Sequence, residues 1–393
     1  MNSKERVLAT INHEEPDRVP IFLSGIDSRD VLEGYLKSKG VEPGKDGKIK
    51  VRSVLPGGRD WLKFMIDLGI DLQHAPVCLL PIGKGTGFGV KKPGQKTPPE
   101  STWADEYGRV FHRYKAEDSD LRLFNYIGGM FDSETGNLEE IMDRYEKWDP
   151  LDADIKGRYF LYDAALKLVK NKGPFVVPGI GGFFEVTWES FGFENYTKLL
   201  FEHFDFIEQV TKNNEEFSRR LTEILIEKYN IELLWVWDDL GYKTGTFLNP
   251  RQYMKLIYPR MKSLVTYCHK NSVKVALHSC GNLNKILDKI IDTGIDALNP
   301  IEPSAHMDIF QMKKDYGDKL TLIGNLDTTD LLTRGTPKQV EAQVKKLIKF
   351  CAPGGGYMVS SGHSINPSIT YENYNAMIRA ALKYGNYPIK IDN

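Results

Sequence analysis

VKVALHSCGNLNKILDKIIDTGIDALNP, residues 273–300, reads as one strand–helix–strand unit. The opening run, 273–278, is apolar and rich in valine, too short for a helix and suited to a pleated, buried surface. Residues 282–293 then place apolar side chains at spacings of three and four among lysines and aspartates, the pattern of a helix with one buried face, and Gly294 stops it. At 297–300 the apolar run resumes. Short apolar strands joined by a helix are parallel neighbours, because a parallel pair needs a crossover that a tight turn cannot supply.

The same rhythm continues on both sides of this unit. Upstream lie 175–180 (FVVPGI) and 233–237 (LLWVW), with helical patterns over 195–228 and 250–271; downstream lie 320–324 (LTLIG) and 357–360 (YMVS), with a helix over 337–351. Gly241, Gly281, Gly317 and Gly354 to Gly356 mark the junctions. The alternation predicts an α/β fold, a single (β/α)8 TIM barrel spanning 1–393, with regular βα units over 151–393 and an elaborated N-terminal region over 1–150. That region offers one strand candidate, 19–23, and a Pro/Gly/Lys-rich stretch, 83–99, read as an ordered loop.

Composition narrows the function. Lys plus Arg number 52 against 53 for Asp plus Glu, so no global field gathers nucleic acid or an anionic membrane. The opening MNSKERVLATINHEEPDRVP carries charges throughout, unlike a signal peptide, and no apolar run approaches the ~20 residues of a membrane span. Cysteines at 78, 268, 280 and 351 are too sparse for a disulfide framework. A cytoplasmic enzyme acting on a small molecule is the expectation.

In such a fold the reacting groups follow the strands. Asp238 and Asp239 follow 233–237, His278 and Cys280 end 273–278, Glu302 follows 297–300, Asn325 and Asp327 follow 320–324, and His363 follows 357–360. A spacing of two at a strand end points His278 and Cys280 to one side, and imidazole with thiolate is a zinc-type donor pair. His363 is the candidate third ligand, with Asp238, Asp239 or Glu302 as a fourth or in support. The plain alternative is a chance His-x-Cys with the cysteine as a small buried hydrophobe. Asp238 and Asp239 read either as caps for the turn and helix near Asn249-Pro250 or as a general acid raised by burial. His278 and His363 join them as catalytic candidates, a turn contact being the plain reading of His363. Phe183, Phe184 and Glu185, just past a glycine-rich turn, together with Trp237, Asn325 and Asp327, are the candidate substrate contacts. Trp188, Trp235, Phe124 and Tyr126 are equally suited to packing, and His13, His74, His112, His203, His269 and His306 are read as core or surface.

The motifs also carry a resemblance. EEPDRVP after the first helix, TWADEYGRVF at 102–111, WDPLDADIKGRYF at 148–160, HSCGNLNKILDKIIDTGIDALNPIEPSAHMD at 278–308, LIGNLDTTDLL at 322–332 and GGGYMVSSGHSINPSITYENYNAMIRAA at 354–381 resemble, in this order, the uroporphyrinogen decarboxylase superfamily. The decarboxylase proper is expected to hold its acidic substrate with an arginine-rich segment after the first strand, whereas here PIFLSGIDSRD offers only Arg29. The zinc methyltransferases of methanogens are similar at His278-Ser279-Cys280 but place a cysteine where this chain has His363. The branch the resemblance favours is the corrinoid-dependent one. It implies O-demethylation of a methoxylated aromatic, with the methyl group passed to Co(I) on a separate corrinoid carrier protein, zinc being a candidate cofactor. A zinc-dependent methylcobalamin:thiol methyltransferase and a decarboxylase-like lyase are the alternatives. No Asp-x-His-x-x-Gly corrinoid motif occurs, so the corrinoid comes with its carrier, and a homodimer is among the assemblies the resemblance allows.

Overall fold

Each apolar run of the second half forms a parallel strand because both its faces find cover, helices outside and other strands' side chains inside. The computed structural model describes residues 1–390 apart from 55, 57, 83–85, 89–101, 116–121, 134, 149–150 and 171. Seven strands make one curled parallel sheet in chain order: β1 (Leu72–Pro76), β2 (Phe175–Gly181), β3 (Leu233–Trp237), β4 (Lys274–His278), β5 (Ala297–Ile301), β6 (Thr321–Leu326) and β7 (Tyr357–Ser361). Strands and helices follow one another along the chain as the sequence pattern requires, and the architecture is TIM-barrel-like.

The expected strand at 19–23 forms one parallel bridge on each side, Ile21 to Val359 of β7 and Phe22 to Leu72 of β1. Buried Asp71 anchors it, accepting from Ile21 N at 2.9 Å and from the guanidinium groups of Arg6 and Arg18 at 2.6 and 2.7 Å. The EEPDRVP motif is therefore a brace between the first helix, Ser3–Ile11, and this edge of the sheet.

Inside the curl, Phe22, Leu72, Val177, Leu233, Trp235, Ala276, Ala297, Ile323 and Met358 pack as one layer, joined from the amino-terminal end by Val7 and Ile11 of the first helix. The outer helices bury a second, larger cluster. Helix Pro337–Cys351 has the bounds the periodicity predicts, opened by a Thr336/Gln339 capping box. The pattern over 195–228 is broken at His203 into Phe193–Glu202 and Phe204–Tyr229, that over 250–271 is broken at Ile257, and helix Leu287–Asp292 is shorter than 282–293.

The N-terminal half holds two elements that the periodicity does not predict. One is β1 itself. The other is an antiparallel sheet of Gly87–Phe88, Thr102–Ala104, Arg109–Lys115 and Arg122–Gly129. The expected 83–99 loop lies outside the described residues except for 86–88, as does the side chain of Phe124. The described helices include none long and apolar enough to cross a membrane.

Candidate functional site

The polar residues that follow the strands converge at the carboxyl-end rim of the sheet, and Cys280 is their centre. His278, at the last position of β4, points its Nδ1 at Asn299 Oδ1, 2.7 Å away on neighbouring β5. The Asn299 amide nitrogen donates to Ile323 O at 3.3 Å, so its oxygen is the acceptor and Nδ1 of His278 carries the proton. The Nε2 lone pair is thereby free, 3.5 Å from Cys280 Sγ and 3.8 Å from Asp239 Oδ1. This is the tautomer a metal ligand needs, fixed by a partner outside the coordination sphere.

Two groups of possible ligand atoms share the cysteine: Asp239, His278 and Cys280 on one side, and Cys280, Glu302 and His363 on the other, each within 4.8 Å of one another. The loop that presents them is held through its backbone. Cys280 N donates to Asp239 Oδ1 at 2.8 Å, and Gly281 N donates to Glu302 Oε2 at 3.1 Å. Gly281 sits at φ +86°, and a Cβ there would lie 2.3 Å from the carbonyl carbon of Gly241, so the hairpin Gly241–Thr246 and the cysteine loop touch backbone to backbone. Burial raises the Cys280 thiol far above its ordinary value, and the Asp239, Glu302 and Glu185 carboxylates push the same way. A divalent cation among these groups reverses that balance, because it turns the repelling carboxylates and the thiolate into ligands and counter-charges. The donor set of nitrogen, sulfur and carboxylate oxygen fits zinc.

Residues 135–384 match the family model described as Uroporphyrinogen decarboxylase (URO-D), more than half of the chain. The chain belongs to the URO-D family. Its relatives include the methylcobamide:CoM methyltransferase MtaA of Methanosarcina barkeri, 25% identical over 223 residues that cover 56% of this chain and 62% of that protein. They also include the uroporphyrinogen decarboxylase of Pseudoalteromonas translucida, 27% identical over 144 residues, 36% of this chain and 39% of that one. The match spans less than two thirds of either relative. Among solved structures, a methyltransferase from Methanosarcina mazei shares the fold, with a TM-score of 0.66 and 18% identity over 98% of this chain and 99% of that one.

Within this URO-D member, a cavity of about 200 Å³ opens beside His278, walled by Leu79, Val186, Trp237, Arg109, Glu185 and Asp239. A second, about 220 Å³, is lined by Tyr242, Lys243, Cys280, Glu302, Ser304 and Thr329.

Asp238 and Asp239, adjacent in sequence, part company. Asp238 is fully buried, and its carboxylate accepts from the backbone N–H groups of Phe183, Phe184 and Glu185 at 3.0, 3.0 and 2.8 Å. Burial lifts its pKa to about 6 against the pull of those three donors. It caps the turn into helix Glu185–Phe191, not the helix that starts at Pro250, and it lines neither cavity. Asp239 faces the first cavity.

Because Asp238 grips their backbone, Phe183 and Phe184 turn into the core with no exposed surface, and Phe184 stacks on Phe247 at 5.6 Å. They form no wall for a ring-shaped substrate. Asn325, at φ +76°, donates to Ile301 O, and Asp327 Oδ1 caps the turn at 329–331; neither lines either of these two cavities. Trp237 and Glu185 do line the cavity.

Arg109, which no strand-end argument finds, reaches the cavity from the antiparallel insertion. It pairs with Asp105 at 2.8 Å and Glu189 at 2.7 Å, with Glu185 at 3.9 Å. The same motif supplies Glu106, which pairs with Arg158 at 2.9 Å and accepts from Leu79 N and Leu80 N. Burial raises the Glu185 carboxyl well above its usual range, reinforced by Asp239 and Glu189 and opposed by Arg109.

Proposed function

We propose that this URO-D member is a corrinoid-dependent methyltransferase that moves a methyl group between the corrinoid of a separate carrier protein and a thiol, at a zinc ion held by His278, Cys280 and the flanking Glu302 and His363. The observation that carries this reading is the free Nε2 lone pair of His278 facing Cys280 Sγ at 3.5 Å. The MtaA relative, a methylcobamide:CoM methyltransferase, points the same way. Bound zinc would hold a substrate sulfur as thiolate at neutral pH. The chain's own residues do the rest: Asn299 holds the tautomer of His278, Asp239 and Glu302 hold the cysteine loop, and Trp237 with Val186 gives the cavity beside His278 its apolar wall. We also read the sheet as a closed (β/α)8 barrel with residues 19–23 as the eighth strand, supported by the bridges at Ile21 and Phe22, and the whole chain as one domain.

A second reading, O-demethylation of a methoxylated aromatic with transfer to Co(I), is favoured by Trp237 and the raised carboxyl of Glu185 in one cavity, an aromatic face beside a proton donor for a departing phenolate.

One assay separates the two. The zinc-loaded protein is mixed with methylcobalamin and a panel of thiols, and in a parallel set with Co(I) carrier protein and methoxylated aromatics. Loss of methylcobalamin with thioether formation, abolished by chelation and by Cys280→Ser, is expected. Methyl-Co(III) formed only from the aromatics supports the second reading. Inertness in both sets, with carbon dioxide released from a porphyrinogen, would overturn both in favour of a lyase.

A further inference from the structure

The charges around the first cavity do not balance. Among the described residues Arg109 is the one Lys or Arg in its wall, and its guanidinium is already engaged at contact distance by Asp105 and Glu189. That leaves Glu185 and Asp239 facing the cavity. Asp239 is partly occupied, since its Oδ1 accepts the Cys280 N–H. Glu185 Oε2 accepts the Asp239 N–H at 3.2 Å, but among the described residues nothing donates to Oε1 within hydrogen-bond distance, the nearest cation being Arg109 at 3.9 Å. The indole of Trp237 lines the same cavity, packed against Gly179, where a Cβ would come within 2.2 Å of the ring. An unfilled carboxylate oxygen and an aromatic ring in one small cavity form a receptor for a compact cation.

We propose, on the thiol-methylation reading above, that the methyl acceptor is a small aminothiol and that Glu185 selects it by receiving its ammonium group. The thiol loses its proton to solvent as the thiolate forms beside Cys280. Its sulfur then attacks the methyl carbon on the carrier's Co(III), the sulfur–carbon bond forms, and the cobalt–carbon bond breaks with both electrons left on cobalt as Co(I). The ammonium stays in the cavity throughout and sets the distance between sulfur and wall. It also relieves the crowding of Glu185 by Asp239 and Glu189, which a neutral or anionic thiol cannot do.

Three thiols with the same two-carbon spacer and different charge test this directly: cysteamine, 2-mercaptoethanol and 2-mercaptoethanesulfonate, each with methylcobalamin and the zinc-loaded full chain. The expected order of kcat/KM is cysteamine, then mercaptoethanol, then the sulfonate, with roughly tenfold between neighbours. Glu185→Gln should bring the cysteamine-to-mercaptoethanol ratio of kcat/KM from about ten to about one, and Glu185→Asp should keep part of the preference. A ratio that merely tracks lost stability would fall for all three thiols together, so the selectivity itself is the readout. Equal rates, or a preference for the sulfonate, overturn the inference and leave thiol methylation standing, the sulfonate case pointing to the cavity that holds Lys243. If all three thiols are inert, it is the proposed function that fails.

Discussion

Two regions surround the candidate site and are held there by different forces. The loops after β3, β4 and β5 are fixed by short-range bonds between carboxylates and backbone amides: Asp238 on residues 183–185, Asp239 on Cys280, Glu302 on Gly281. The antiparallel insertion is fixed by buried ion pairs across the chain, Arg109 to Glu189 and Glu106 to Arg158. An amide-to-carboxylate clamp loses one bond at a time when altered, whereas a buried ion pair that loses a partner leaves a charge stranded in low dielectric. The strand-end loops should therefore show changes in chemistry with modest changes in stability, and the insertion the reverse.

The largest effect should come from Cys280→Ser or from chelation: methyl transfer falls by roughly 10³-fold with bound zinc lost, while the urea midpoint stays close to the zinc-free parent. A large loss of stability without loss of metal would break the comparison on its first side. Arg109→Met strands Asp105 and Glu189 and should cost about 3–5 kcal/mol in urea unfolding. A cost below about 1 kcal/mol would mean that the insertion is held by its apolar packing instead. Asp238→Asn turns an amide NH2 against at least one of the three backbone donors, for a loss of about 1–3 kcal/mol, with the turn at 183–185 the first segment to gain hydrogen exchange. Uniform exchange across the sheet would count against a local clamp.

The smallest effect concerns His74 of β1, half-buried and in edge contact with Trp237 at 5.0 Å. Burial, with the nearby His278, lowers its pKa from 6.5 to about 3. The unfolded chain takes up the proton first, so the stability His74 allows is complete above pH 6.5 and is lost as pH falls toward 3. Between pH 6.5 and 5.5 the loss should be about 1 kcal/mol, and His74→Phe should remove it. An unchanged pH slope in that variant would show that other groups set the acid limit.

The same contrast decides how much could be read from the sequence. His278 and Cys280 are legible because a spacing of two at a strand end is a local rule, and Glu302 and His363 follow from the same rule one strand and three strands further on. Asp238 is half legible. A buried carboxylate after a strand must find donors, but which donors depends on the neighbouring strand's turn, 53 to 55 residues away. Phe183 and Phe184 mislead for the same reason, since the clamp on their backbone decides where the rings go. The helix broken at His203 keeps its apolar periodicity across the break, so no pattern signals it, whereas the break at Ile257 had a signal in Pro259, which opens the next helix. Arg109 had a signal, an arginine and two acids inside an apolar run, the mark of charges bound for burial, but nothing in the run names Glu189 as partner 80 residues on.

The contact between Gly241 and Gly281 ties the hairpin after β3 to the cysteine loop without any side chain between them. For protein engineering the two loops are one part. A library that varies Gly241–Thr246 alone will displace the sulfur with every insertion, and a graft of 278–281 onto another scaffold will need its hairpin to travel with it.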